Sequence, residues 1–118
     1  MSQITVDFYK TLTELCPVQS FLDSVDIKMR AKLLRLVLLL EENGNDLREP
    51  YSKSLGNGIF ELRAIQGNNI ARILYFFVTG NKVILSNGFI KKTRRTPRSE
   101  IHTAVKYRKD YLQRKESL

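Results

Sequence analysis

Apolar positions change their period several times along the chain, and each change predicts an element. Ile4 to Tyr9 alternates, with Ile4, Val6 and Phe8 on one face and Thr5, Asp7 and Tyr9 on the other, so a short half-buried strand is expected. Pro17 to Leu22 predicts a short helix with Phe21 and Leu22 as its apolar contacts. Asp23, Ser24 and Asp26 offer N-caps for a longer helix from Ile27 to Glu42, ended by the cap signal Asn43-Gly44. On that helix Ile27, Leu34, Leu38 and Glu41 share one side, while Leu33, Leu36, Val37, Leu39 and Leu40 widen the apolar surface beyond a stripe. Burial on two faces is therefore expected, by a sheet and by a neighbour or partner.

After a connection at Asn45 to Tyr51, the period becomes two. Ser52 to Leu55 and Ile59 to Ile65 read as strands around Gly56-Asn57-Gly58. Gly67-Asn68-Asn69 predicts a hairpin turn into Ile70 to Val78, and Thr79-Gly80-Asn81 turns again into Val83 to Ser86. Asn87-Gly88 can bend or bulge that last strand. Thr96-Pro97 then signals a helix start, with Thr96 as N-cap, for a helix reaching toward Lys115. Ile101, Ala104, Val105, Tyr111 and Leu112 are its expected inner face. The order strand, helix, helix, three or four antiparallel strands, helix predicts an α+β fold: an antiparallel four- to five-stranded sheet with helices packed on one face. At 118 residues, with no repeat and no linker, residues 1–118 read as one domain.

Charge sharpens the picture. The net charge is +8, yet residues 91–115 hold ten Lys or Arg against Glu100 and Asp110 alone, so this end carries the whole excess. A basic end on a near-neutral body points to an anionic partner. The run Lys91, Lys92, Arg94, Arg95, Arg98 lies between the last strand and the last helix, where a rigid corner can aim it. The single cysteine, Cys16, allows no internal disulfide or zinc cluster and reads as a small buried hydrophobe. No stretch approaches the roughly 20 apolar residues of a membrane-spanning helix, and Asp7 and Lys10 interrupt any signal-peptide pattern, so a cytoplasmic location is expected and no membrane partner.

Two arginines interrupt apolar strands: Arg63 in Phe-Glu-Leu-Arg and Arg72 in Ile-Ala-Arg-Ile-Leu-Tyr-Phe-Phe. The hairpin centred on Asn68 brings them within one residue of direct opposition. Two close guanidinium groups repel, and a shared anion such as phosphate relieves this; Glu61, Asp46 or Glu49 could do so as structural partners instead. Lys91 or Lys92 can overhang the same face, and His102, the only histidine, lies one turn into the last helix.

In this order and spacing, Gly-Ile-Phe-Glu-Leu-Arg, Arg-Ile-Leu-Tyr-Phe-Phe, Val-Ile-Leu-Ser-Asn-Gly-Phe-Ile-Lys-Lys-Thr and Thr-Pro-Arg-Ser-Glu-Ile-His-Thr-Ala resemble the RelE/ParE toxin superfamily. The branch they resemble is the HigB-like, phage-derived one. Glu49-Pro50-Tyr51 and Arg108-Lys109-Asp110-Tyr111-Leu112 fit it too, so the resemblance runs from Ile4 to about Leu112. It implies a RelE-like fold and the toxin of a type II toxin–antitoxin pair, which cleaves mRNA in the ribosomal A site with no metal or other cofactor. The ribose 2′-hydroxyl attacks the adjacent phosphate and expels the 5′-oxygen. By position, Arg63 matches a basic catalytic residue, Arg72 the arginine that stabilises the phosphate, and Lys91 or Lys92 a basic residue after the strand. His102 lies where RelE itself has a tyrosine. Arg94, Arg95, Arg98 and Lys106 are then expected to hold RNA and ribosome. Glu61 departs from the pattern, standing where RelE has a lysine. The implied partners are the ribosome, mRNA and a HigA-like helix-turn-helix antitoxin, for which the leucine-rich helix is the favoured contact. A ParE-like gyrase inhibitor and a basic RNA-binding module without activity are the competing classes on the same fold.

Overall fold

The computed structural model describes residues 4–79 and 81–116. Its elements are β1 (Thr5–Phe8), α1 (Pro17–Ser24), α2 (Ile27–Asn43), a short 3-10 turn (Gly44–Asp46), β2 (Ser52–Gly56), β3 (Ile59–Gln66), β4 (Asn69–Val78), β5 (Lys82–Lys91) and α3 (Arg98–Glu116). Gly80, in the expected turn before β5, lies outside the described residues. The five strands form one sheet in the order β1-β5-β4-β3-β2. β2 to β5 meander antiparallel, and β1 joins the edge parallel to β5. The α+β class and the largely antiparallel sheet are as the sequence predicts.

The turns follow from their residues. Asn57 and Gly58 both have positive φ, +54° and +76°, which the tight connection of a right-twisted hairpin requires. Asp26 caps α2 by accepting a 2.7 Å hydrogen bond from the Met29 amide. Gly44 ends α2 at φ +53°, returning its amide to the Leu40 carbonyl.

β4 is buried on both faces, and this sets where the helices lie. Ala71, Ile73 and Tyr75, with Leu62, Val83 and Leu85, pack against Val18 and Leu22 of α1 and Met29, Leu33, Leu36 and Leu40 of α2. The expectation of helices on one face holds for this pair. The alternate residues Leu74 and Phe76, with Ile59, Ile84 and Phe89, are covered by Ala104, Val105, Tyr107 and Tyr111 of α3, which places α3 across the opposite face. A strand apolar on both sides needs cover on both.

Only one side of α2 is buried. Ile27 and Leu38, on the side they share with Leu34 and Glu41, are 77% and 59% exposed, and Leu34 is exposed with them, so the expected burial on two faces is not met within the chain. Leu112 of α3 is also exposed, and Tyr107 takes an inward place instead. Cys16 is half-buried at the start of α1 rather than enclosed.

β5 runs five residues further than the alternation predicts. Leu85 pairs with Tyr75 and Asn87 with Leu74, so Ser86 is an extra residue, a bulge inside a continuous strand. The Ser86 hydroxyl donates to the Leu74 carbonyl, and the Asn87 amide donates to Glu100 in the first turn of α3. Gly88 follows directly beneath α1. A Cβ there would stand 2.3 Å from the Phe21 ring.

Gly88→Ala is therefore expected to lower stability by about 1–3 kcal/mol through overpacking. The urea midpoint should fall at unchanged slope, and Phe21→Ala in the same chain should cost less than it does alone.

α3 is also pinned at its far end. The Tyr9 hydroxyl donates to Asp110 at 2.5 Å, Arg114 pairs with Asp110 at 2.8 Å, and Arg114 reaches the Lys10 carbonyl. Burial, then the Asp110 bond, pushes the Tyr9 hydroxyl up to about 12 from its ordinary 10. The Tyr9 hydroxyl in turn holds the Asp110 carboxyl below its usual range. A raised tyrosine stabilises the fold fully below its unfolded value and loses that contribution as pH climbs from about 10 to about 12. The Asp110 share is present above the unfolded carboxyl range and lost as pH falls through its depressed folded value. Denaturation measured across pH should show a shallower alkaline limb for Tyr9→Phe than for the native chain.

Candidate nucleic-acid interface

Glu61 stands in β3 directly before Leu62, and the pairing of β3 with β4 puts Arg63 opposite Arg72. The two arginines, expected within one residue of opposition, pair directly. Both Glu61 and Arg72 are 0% exposed, while the Arg63 side chain keeps 21% of its surface. Glu61 takes both cations, through Arg63 Nη2 at 2.7 Å and Arg72 Nε at 3.6 Å. The shared anion is thus a residue of the chain itself. Burial, then the Arg63 charge, depresses the Arg72 guanidinium, and Glu61 partly offsets this. The Arg72 guanidinium also lies 5.8 Å over the Phe89 ring.

These three side chains hold the basic loop. Arg72 donates to the Thr93 carbonyl, Arg63 donates to the Arg94 carbonyl at 2.7 Å, and the Thr96 hydroxyl donates to Glu61. Thr96 was the expected N-cap of α3, but its hydroxyl is spent on Glu61. The Pro97 carbonyl accepts from the Glu100 and Ile101 amides instead, and α3 begins at Arg98.

The result is a cleft of about 420 Å³ between the loop, the start of α3 and the edge strand β2. Five cations line it: Lys53, Arg63, Arg94, Arg95 and Arg98. Thr96, Leu55 and Ile101 complete the wall, and no carboxylate is among the lining residues. Such a wall attracts phosphate through several forks at once.

The predicted residues divide. Arg63, Arg94, Arg95 and Arg98 meet in the cleft. Arg72 lies beneath it, with no surface of its own. Lys91 closes β5 opposite Ile70, Lys92 follows, and both are exposed outside the cleft wall. His102 and Lys106 are exposed on α3 at four-residue spacing from Arg98, continuing one stripe away from the cleft. Lys53 escaped the sequence reading. It lies opposite Glu61 on β2, and the alternation of that short strand was its only signal. Among the described residues, no three His, Cys, Asp or Glu gather to hold a metal ion.

Residues 20–109 match the family model described as Phage derived protein Gp49-like (DUF891), which spans both arginines, the basic loop and most of α3. The chain belongs to the Gp49-like family. That family consists of RelE-like toxin proteins of toxin–antitoxin systems, so an antitoxin is the partner it suggests. No curated protein matches the chain. Among the described residues, no helix of this Gp49-like protein is long and apolar enough to cross a membrane.

Removing Glu61 tests whether it anchors the loop. Glu61→Ala leaves two arginines without their anion, and losing one partner of a buried pair costs roughly 3–5 kcal/mol. Glu61→Gln keeps an acceptor for Thr96 and should cost less. Hydrogen exchange should quicken across residues 92–97 in both variants, and denaturation should rank them.

Proposed function

We propose that this Gp49-like protein is a HigB-like toxin that cleaves mRNA on the ribosome, with a HigA-like helix-turn-helix protein as its antitoxin. The observation that carries the reading is the cleft of five cations with no carboxylate on its wall, its loop fixed from below by Glu61, Arg63 and Arg72. Cleavage by an adjacent 2′-hydroxyl develops negative charge on the phosphate oxygens. Fixed donors aimed at that charge accelerate the step without reorganising.

Arg63 is the donor at the junction of sheet and cleft, and Arg94, Arg95 and Arg98 complete the phosphate cradle. Arg72 acts from beneath by holding the loop through Thr93. Lys91, Lys92 and Lys106 extend the positive field toward the ribosomal RNA. Lysine and arginine are the ionisable residues of the cleft wall, so proton transfer is assigned to His102, one turn along α3 from Arg98. The family membership and the electrostatic wall support this reading together, since a gyrase-binding poison needs no phosphate cradle.

Primer extension on mRNA from cells expressing the protein tests it. Cuts placed by codon are expected with the native chain, and Arg63→Ala should slow cutting about 10²–10³-fold, the usual effect of one such donor. Arg94→Ala with Arg95→Ala is the sharper variant, because both side chains are exposed and their loss spares the fold. Intact mRNA accompanied by double-strand DNA breaks would replace this reading with gyrase poisoning. Tight RNA binding without cuts would leave an RNA-binding module.

A further inference from the structure

A second cleft, of about 590 Å³, lies on the other face of the edge strand β2. Its floor is aromatic. Phe60 and Tyr75 stack at 5.5 Å between ring centroids, and Phe77 meets each edge-on. The Ser52 and Tyr75 hydroxyls bond at 2.5 Å, so the polar tip of the tyrosine is satisfied within the floor. Arg48, Glu49 and Asn45 contribute to the rim from the segment after α2. Lys53 lines this cleft and also the five-cation cleft, so the two meet across β2. β2 ends the sheet, so no further strand separates them.

The two clefts differ in chemistry. In the first, five cations line a wall that holds no carboxylate, and of these Arg63 is paired from beneath by Glu61. The wall of the second includes Glu49 as well as Arg48 and Lys53, and the half-buried Phe60 and Phe77 give its floor an accessible aromatic surface. The first suits a phosphate and the second a flat, polar-edged ring. We infer that the aromatic cleft binds a nucleobase of the same single RNA strand whose phosphate occupies the basic cleft, the strand crossing β2 at Lys53. This rests on the proposed RNA-cleaving function and adds a base subsite to it. Bases splayed from single-stranded RNA stack on aromatic side chains, and a cleft of this volume encloses a ligand of nucleoside size. A partner protein inserting an aromatic side chain would fit the floor but gives no reason for Lys53 to join the two clefts.

A short single-stranded RNA, 2′-O-methylated to block cleavage and carrying 5-iodouridine, is the probe. Its affinity is measured by fluorescence anisotropy at several salt concentrations, and its photocrosslinks are mapped. Phe60→Leu and Phe77→Leu, with circular dichroism confirming each fold, are expected to weaken binding roughly tenfold each, since one stacked base is worth about 5- to 150-fold. Their salt dependence should equal that of the native chain, because no phosphate contact is lost. Arg94→Gln with Arg95→Gln should instead flatten the salt dependence. Crosslinks at Phe60, Phe77 or Tyr75 are the expected result. Native affinity in both phenylalanine variants, with crosslinks confined to residues 91–98, would overturn the base subsite and leave the proposed function standing. The same native affinity with antitoxin-dependent protection of residues 44–54 would give the cleft to a protein partner and overturn it equally. Failure of the native chain to bind the RNA would overturn the base subsite, while the proposed function stands or falls on the primer extension.

Discussion

Two guanidinium groups face each other across the β3–β4 ladder, and neither can leave. The register is fixed by the apolar residues on both sides: Leu62 must meet Ile73 and Glu61 must meet Leu74 if each strand is to keep its buried faces. A slip of one residue would carry each strand's side chains to the opposite layer and put the arginines among the apolar residues beneath α2. Arg63 and Arg72 are therefore held together by packing that has nothing to do with charge. At an effective dielectric near 20, two like charges 4 Å apart repel by about 4 kcal/mol. Glu61 answers this from within the same strand, and Thr96 occupies one of its oxygens. The basic loop takes its shape from that neutralised cluster, because three of its residues are bonded to it.

The cluster leaves a net positive charge beneath the loop. Two arginines share one carboxylate, and Arg72 Nη1 is buried without a hydrogen-bond acceptor. The loop above adds Arg94, Arg95 and Arg98 in full water. Cations in water cost little, and a buried residual charge beneath them raises the potential at the cleft mouth without being screened as they are. An approaching phosphate thus meets a wall whose exposed part is adaptable and whose base is rigid. That division suits a site that must bind a flexible strand yet hold one phosphate still.

Much of this was legible in the sequence. The hairpin turns fixed the opposition of Arg63 and Arg72, and the strand and helix order fixed the fold class. What stayed hidden has one cause: facing depends on phase, and phase is lost wherever a residue is inserted. Ile84 and Phe89 are five apart yet join the same apolar cluster, because Ser86 is bulged out between them. Alternation alone would have set them on opposite faces and ended β5 early. The side chosen by α2 was hidden for a related reason, since its ten apolar residues spread beyond one face and do not single out the side that packs. Leu33, Leu36 and Leu40 fit the groove over β3 and β4, while Ile27, Leu34 and Leu38 remain outside. Lys53 carried no signal of its own. A single lysine on a short strand gains meaning only from the loop that comes to lie beside it.

The two faces of the sheet then carry different surfaces. α2 and its exposed Ile27, Leu34 and Leu38 lie on one side, and the basic cleft opens beside α3 on the other. A partner seated on the α2 stripe would leave the cleft uncovered, so under the proposed function it would inhibit by adding bulk rather than by filling the phosphate site. A partner seated on the cleft would have to bring carboxylates for Lys53, Arg94, Arg95 and Arg98. The first arrangement removes apolar surface from water at about 25 cal/mol per Å² and asks for no charge matching. The second must desolvate arginines, and the gain from pairing them returns largely as specificity and speed of association. Separating the apolar stripe from the cationic wall across the full thickness of the sheet therefore lets the burial of apolar surface against a partner and the binding of an anion be tuned independently.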